Sequence, residues 1–226
     1  MIEPVEEVVE PRRRKIRPKG ERSRQAILDA TLVVIAKRGL HSVTHRAIAA
    51  QANVPLSLTT YFFKNLNDLI GQAFDYFAER AQSDNSRMLL EIADYVGGIL
   101  PDTLSRMENR IAIRDELANR LTDFIVFMAV EHSIGVAVEV NFLYLYRLEP
   151  ELRQKVVAYR DAMTASIAAL IRPLAPDPES ADVDAALILG LVHRLEFECM
   201  NHPEKLPRDQ VYAEVSRQVG YILALR

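Results

Sequence analysis

The stretch that most constrains this fold is 44–63, with the sequence THRAIAAQANVPLSLTTYFF. It predicts two short helices joined by a tight turn. Thr44 is a favoured N-cap, Asn53 tolerates the left-handed backbone that ends a helix, and Pro55 suits the start of the next helix. The second helix would expose hydroxyl groups and a phenol over 56–61, and such groups bond to phosphates and base edges. The pattern therefore indicates a helix-turn-helix suited to nucleic acid.

Charge is distributed unevenly along the chain. Residues 11–65 hold twelve Lys and Arg against two acidic residues, a net charge of +10. The whole chain of 226 residues carries −3, so the remainder carries −13. A basic module on an acidic body can be steered to a polyanion, and the acidic remainder discourages binding elsewhere on the surface.

Residues 1–20 divide into an acidic, proline-bearing start and the basic run PRRRKIRPKG. The prolines of this run, together with Gly20, disfavour regular structure, so we expect a flexible arm over 1–20. In isolation such a run is most simply a solvated tail. Because it precedes a helix-turn-helix, Arg13 and Arg14 can instead follow the DNA backbone or enter the minor groove.

Helical periodicity continues through most of the chain. Apolar residues recur at intervals of three and four in the segments 21–38, 67–95, 111–131, 150–170, 183–200 and 207–225. The segment 136–148 is rich in β-branched and aromatic residues, but no partner strand is visible, so a helix is expected there too. We predict an all-α fold. A three-helix DNA-binding domain over 21–66 is followed by a larger helical effector-binding and dimerisation domain over 67–226.

The cellular compartment is indicated by the cysteine content. Cys199 is the single cysteine, so the chain cannot form an intramolecular disulfide, and a reducing environment is favoured. The first eleven residues hold four acids and no long apolar run, unlike a secretory signal. The most apolar later segment, 124–146, is interrupted by Glu131, His132 and Glu139, which favours a buried helix over a membrane span. We expect a cytoplasmic protein without membrane association.

The segment RQAILDATLVVIAKRGLHSVTHRAIAAQANVPLSLTTYFFKNLNDLI, residues 24–70, resembles the DNA-binding head of the tetracycline-repressor (TetR/AcrR) family of bacterial transcriptional regulators. The residues that carry the resemblance are Ile27, Leu28, Ala30, Gly39, Thr44, Ile48, Ala49, Ala52, Val54, Tyr61, Phe63, Lys64, Asp68 and Leu69. The remaining chain agrees with the family only in length and helical character. The resemblance implies a dimeric regulator that binds double-stranded DNA.

The resemblance also implies roles for residues of the head. The implied DNA contacts are Thr44, Arg46, Leu56, Ser57, Leu58, Thr60, Tyr61 and Lys64. Tyr61 and Lys64 are expected on phosphates, although Tyr61 could equally pack on the first helix. Ser57 and Thr60 stand where the family often has Gly and Tyr. The DNA sequence bound is therefore not inferable from other members.

A small-molecule effector is implied by the same resemblance, since in this family a ligand in the C-terminal domain changes the separation of the two heads. Aromatic and Met side chains there favour an apolar cavity with few polar anchors, although each could equally be ordinary core. The candidates are Met88, Tyr95, Met107, Phe124, Phe127, Met128, Asn141, Tyr144 and Tyr159. The alternative is a DNA-binding dimer whose C-terminal domain serves only dimerisation or a protein partner.

The last two helices, 183–200 and 207–225, are the expected dimer interface. The first is apolar almost all round, so a second surface besides its own core must cover it. Pairing both helices across a two-fold axis would give a four-helix bundle. The expected interface residues are Leu187, Leu191, Leu195, Val211, Val215, Val219 and Ile222. Four further residues are expected at this seam or its rim: His193, Arg194, Glu196 and Glu198.

Catalysis and metal binding are not indicated. The sequence has no Ser/His/Asp set at recognisable spacing, no glycine-rich phosphate loop and no metal motif. His132, Glu139 and His193 invite a metal site but lack a closely spaced pair of ligands. We expect no enzyme activity, no cofactor and no bound metal. Cys199 is expected to be a small buried hydrophobe rather than a redox switch.

Overall fold

The computed structural model describes residues 18–143, 149–202 and 208–225, and within these ranges every regular element is helical. The α-helices are α1 (Pro18–Arg38), α2 (His45–Ala52), α3 (Leu56–Phe62), α4 (Leu66–Gly97), α5 (Met107–Glu131), α6 (Ser133–Leu143), α7 (Pro150–Ile171), α8 (Ala181–Asn201) and α9 (Arg208–Ile222). Short 3-10 turns lie at Leu40–Ser42, Pro101–Ser105 and Pro178–Ser180. The all-α prediction is confirmed.

Helix α1 begins three residues before the predicted start at residue 21, so the expectation of irregular structure up to Gly20 is wrong. Pro18 is the first helical residue, a position where proline removes no hydrogen bond and already has a helical φ. The helix ends at Gly39, whose φ of 77° and ψ of 163° lie in a region that only glycine adopts readily. Residues 1–17, including Arg13 and Arg14, lie outside the described residues.

The core of the three-helix head extends well beyond residue 66. Ile27, Ile48 and Phe63 are at most 1% exposed and belong to the same apolar cluster as Phe74 of α4 and Phe142 of α6. The rings of Phe74 and Phe142 meet edge to face with centroids 4.9 Å apart. The head is thus packed onto α4 and α6 rather than joined to the larger domain by a linker.

A second core fills the larger domain between α5, α8 and α9. Ile125 of α5, Leu195 of α8 and Val215 of α9 are fully buried in it. The apolar stripe of α9 lies on α5, which is the helix that α9 contacts most extensively. The burial of α9 is therefore achieved within one chain.

Helix α6 confirms the helical prediction for its part of the segment 136–148, whose last residues, 144–148, lie outside the described ranges together with Tyr144. No single helix in the described ranges is long and apolar enough to cross a membrane. Helices α5 and α6 reach that length and apolarity only in combination, across a bend of 96°.

Candidate nucleic-acid interface and internal cavity

Helices α2 and α3 are fixed by caps that the sequence specifies. The backbone N–H of Ala47 donates to Thr44 Oγ1 at 3.1 Å, so Thr44 caps α2. Asn53 ends the helix in the left-handed conformation, with φ 52° and ψ 47°. The N–H of Val54 then donates to the Ala49 carbonyl at 3.0 Å, as in a Schellman motif. Local sequence therefore determines the turn between α2 and α3.

A buried hydroxyl connects the start of α2 to α3. The hydroxyl of Thr59 is fully buried and donates to the Leu56 carbonyl at 2.8 Å. Its oxygen lies 3.1 Å from Nδ1 of His45, a distance that suits a ring protonated on that nitrogen. The contact with His45 ties α3 to the start of α2, and Thr59 faces inward while Thr60 faces solvent.

The outward surface of this head is polar and hydroxyl-rich. The exposed residues among the predicted contacts are Thr44, Arg46, Leu56, Ser57, Thr60, Tyr61 and Lys64. The Tyr61 ring is 74% exposed, so Tyr61 is not a core residue of the head. Leu58 differs from the rest because it is partly buried against the head core. Leu58 therefore also supports α3 from its inner side, and its placement near the bases stays a prediction.

Several cations of the head are not engaged by the protein. Within the described ranges, no ion pair involves Lys37, Arg38, Arg46 or Lys64. Arg24 is instead held inside the fold: its guanidinium donates to Gln72 Oε1 at 2.5 Å and lies over the Phe63 ring at 5.9 Å. The unpaired cations can neutralise phosphates, whereas Arg24 has a structural role.

The larger domain contains a partly open cavity of about 640 Å³, within the size range of small-molecule sites. Helices α4 to α9 contribute to its wall, which is mostly apolar. Of the predicted ligand contacts, Phe124 and Met128 line it, as do Met88 and Tyr159. Among the described residues on its wall, Glu139 comes from α6 and none comes from α1.

Four predicted ligand contacts lie elsewhere, and these placements are corrected. Phe127 is 51% exposed and Met107 is 58% exposed, because both point outward from α5. Tyr95 packs beside the second core with the Arg120 guanidinium over its ring at 5.3 Å. Asn141 faces α1, with Oδ1 3.5 Å from the position that a Cβ on Gly39 would occupy. Aromatic character alone did not reveal which face of each helix turns inward.

One part of the cavity wall is ionisable, which the sequence did not reveal. Glu139 of α6 accepts a hydrogen bond from the Tyr159 hydroxyl at 3.1 Å, and its Oε1 lies 3.5 Å from His193 Nε2. Burial and the neighbouring Glu139 charge raise the pKa of the Tyr159 phenol. Glu196 lies on the same wall and is 4% exposed. The placement of His193 and Glu196 at a dimer seam is therefore wrong.

Most of the predicted dimer contacts belong to the chain's own core. Leu195, Val211 and Val215 are fully buried, and Val219 and Ile222 are 5% exposed, since the stripe of α9 covers α5. Their assignment to an interface is corrected. Leu191 is partly buried, and Leu187 alone among the predicted contacts is largely exposed, at 57%.

An apolar strip does lie on the outer face of α8. Val183 is 63% exposed and Phe197 is 47% exposed, and both lie on the same face as Leu187. Tyr221 of α9 is 56% exposed. The spacing of residues 183, 187 and 197 is consistent with one shared helix face. Because α8 also has apolar residues on its opposite face, the sequence did not show which face is exposed.

Comparison with known proteins agrees with the geometry of the head. Residues 27–73 match the family model described as bacterial regulatory proteins, tetR family. No curated protein matches the chain. The matched segment spans α1 to the first part of α4, which is the region that carries the capped turn.

Solved structures share the fold of the whole chain. A transcriptional regulator from Rhodococcus sp. Rha1 is 19% identical, with 89% of this chain and 96% of that one covered at a TM-score of 0.64. A regulator from Saccharomonospora viridis in complex with choline is 18% identical, covering 89% and 97% at a TM-score of 0.63. The multidrug binding protein EbrR complexed with malachite green is 22% identical, covering 86% and 96% at a TM-score of 0.56.

Proposed function

We propose that this chain is a repressor of the tetR family of bacterial regulatory proteins, whose family model matches residues 27–73, and that it binds a pseudo-palindromic operator as a dimer. Binding of a small, largely apolar effector releases the protein from this operator. The observation that carries the proposal is the capped turn between α2 and α3, which presents α3 with exposed hydroxyls and unpaired cations beside it. Helices presented in this way enter the major groove.

Contacts to DNA divide into two kinds in this proposal. Thr44, Tyr61 and Lys64, at the ends of the two helices, bind phosphates. Ser57 and Thr60, on the exposed face of α3, lie nearest the base edges. Phosphate contacts supply affinity that falls steeply with salt, and base contacts supply the choice of sequence.

Dimerisation uses the outer strip of α8 in this proposal. Val183, Leu187 and Phe197 form an apolar surface that the chain itself leaves uncovered. Pairing two such strips about a two-fold axis places two heads on one face of the DNA. The recognition helices then reach successive major grooves about 34–36 Å apart.

Helix α6 supplies the connection between effector and DNA. Its Glu139 lines the cavity, whereas its Val138 and Phe142 are buried in the core of the head. A ligand that favours one position of α6 therefore favours one position of α1 as well. The shift in DNA affinity is limited by the difference in ligand affinity between the two positions.

The cavity favours this mechanism over a C-terminal domain that serves only dimerisation or a protein partner. A domain with those roles alone has no use for a mostly apolar cavity of about 640 Å³, a size typical of small-molecule sites. The complexes of related folds with choline and with malachite green lend support to a small-molecule effector.

The division of DNA contacts can be tested with two single variants. An operator is first obtained by selection from random duplexes, and affinity is then measured by fluorescence anisotropy for that operator and for an unrelated duplex. We expect Lys64→Ala to weaken binding to both duplexes alike, because a phosphate contact is independent of sequence. Thr60→Ala should change the preference between sequences. Equal losses on both duplexes for both variants would contradict the assignment.

A further inference from the structure

The wall of the cavity contains more carboxylate side chains than the binding of a purely apolar ligand requires. Among the described lining residues, the carboxylates are those of Asp75, Glu79, Glu139 and Glu196, and the one lysine is Lys155. Lys155 is already paired, since its Nζ lies 2.5 Å from Asp75 Oδ2. The remaining carboxylates face the cavity without a cation of comparable strength.

Glu139 and Glu196 are the deeply buried members of this set, at 8% and 4% exposure. The Glu139 carboxylate is partly satisfied by the hydrogen bond from the Tyr159 hydroxyl and by the nearby His193 ring. Glu196 makes no hydrogen bond or ion pair with any described residue. Nε2 of His193 is likewise buried and makes no hydrogen bond. The polar wall is therefore incompletely satisfied by the protein itself.

Burial of these polar groups destabilises the fold unless they gain partners for their charges and hydrogen bonds. A buried carboxylate is destabilising unless it keeps its proton or a cation pairs with it, and an apolar side chain of similar volume would avoid that cost. No group of three potential ligands in the described ranges is arranged to hold a metal ion. An organic cation with an apolar body that fits the surrounding wall would supply the missing charge partner.

We propose that the effector is a lipophilic organic cation, an amine, amidinium or quaternary ammonium on a largely apolar body, and that Glu139 and Glu196 bind its charge. This inference rests on the proposed function, whose effector it assigns to a chemical class. Tyr159, whose hydroxyl donates to Glu139 at 3.1 Å, lies on the same cavity wall as both carboxylates.

The ionisation of Glu196 agrees with this assignment. Burial, and then the charge of Glu139, raise the pKa of Glu196 to about 8, so the empty cavity keeps its proton at neutral pH. A bound cation favours the ionised form, and the proton leaves as the cation enters. The charged and titratable groups on the cavity wall are Asp75 and Glu79 of α4, Glu139 of α6, Lys155 and Tyr159 of α7, and His193 and Glu196 of α8.

Two ions of nearly the same shape and opposite charge provide a direct test. Binding of tetraphenylphosphonium and of tetraphenylborate to the full chain is measured by calorimetry. We expect the cation to bind and the anion not to bind. Glu196→Gln and Glu139→Gln should each weaken cation binding by about ten-fold or more, because each removes one buried charge partner. Glu91→Gln is the matched control, since Glu91 is on α4 in an exposed pair with Arg87 and does not line the cavity.

Comparable binding of the two ions, no binding of the cation, or wild-type affinity in both carboxylate variants would overturn the inference. Circular dichroism establishes that the variants are folded. Anisotropy with the selected operator separates this inference from the proposed function. Cation binding that needs both carboxylates but leaves the DNA complex intact would support the cation site and contradict the effector mechanism. Release of DNA by a neutral compound, with no cation binding, would support the effector mechanism and contradict the cation site.

Discussion

At the scale of single residues, Glu196 connects the pH of the solvent to the stability of the fold. Its pKa is about 8 in the folded chain against a reference of 4.5. Between these values the folded chain retains a proton that the unfolded chain has lost, so stability falls as pH rises through this window. Below pH 4.5 both states are protonated and this effect vanishes.

The corresponding prediction concerns Glu196→Gln, which keeps the neutral shape at every pH. Between pH 5.5 and 7.5 we expect the free energy of unfolding to fall more steeply for the natural chain than for the variant. The difference should be at most about 1.4 kcal/mol per pH unit. Urea denaturation at three pH values measures it. Parallel pH profiles for the two proteins would contradict a raised pKa at this residue.

Residues with local roles were predictable, whereas residues facing the cavity were predictable only in part: Phe124 and Met128 were expected there, but Glu196 was not. Thr44 and Asn53 act on backbone groups within a few positions of themselves, so the sequence around them suffices to predict a cap and a stop. Glu196 lies in a helix with apolar residues on both faces, so periodicity does not distinguish the interior from the exterior. Its inward direction depends on α6 and α7, which are distant in sequence.

At the scale of elements, α1 and α2 end in different ways, and this gives a second prediction. Asn53 has left-handed helical angles, which Asn and Gly both adopt, whereas Gly39 has angles available essentially to glycine alone. We expect Gly39→Asn to lower the free energy of unfolding by about 1–3 kcal/mol. Asn53→Gly should change it by less than about 0.5 kcal/mol. Urea denaturation followed by circular dichroism compares them, and similar losses in the two variants would count against this distinction.

The positions of the helices were predictable because the spacing of apolar residues indicates them. The surface against which each apolar stripe packs was not predictable. The stripe of Val211, Val215 and Val219 requires a cover, and a neighbouring chain and the chain's own α5 satisfy that requirement equally well. The structure places the stripe on α5. Helix α6 formed despite its β-branched residues because its neighbours bury it on both sides, which overrides propensity.

At the scale of the whole molecule, the outer strip of α8 should decide the oligomeric state. We expect Leu187→Asp to give a monomer, because two carboxylates would face each other in an apolar interface without partners. Operator affinity should fall by about 10²-fold or more, since the two heads would no longer bind as one unit. Light scattering and anisotropy measure the two effects.

Leu90→Asp is the control for that variant, because Leu90 of α4 is 68% exposed and lies away from α8. It adds the same charge at another exposed leucine, and the protein should remain a dimer with unchanged affinity. A Leu187→Asp protein that stays dimeric would show that the strip of α8 is not the interface.

The sharing of α6 between two cores also bears on protein engineering. A chimaera that joins this head to a foreign sensor domain at residue 66 would leave Ile48 and Phe63 without Phe74 and Phe142, which complete their apolar cluster. A workable graft has to carry α6 with the head, or restore its α1-facing residues in the donor. Biosensors with new specificity are more safely built by varying the cavity-facing side of α6 while Val138 and Phe142 stay fixed.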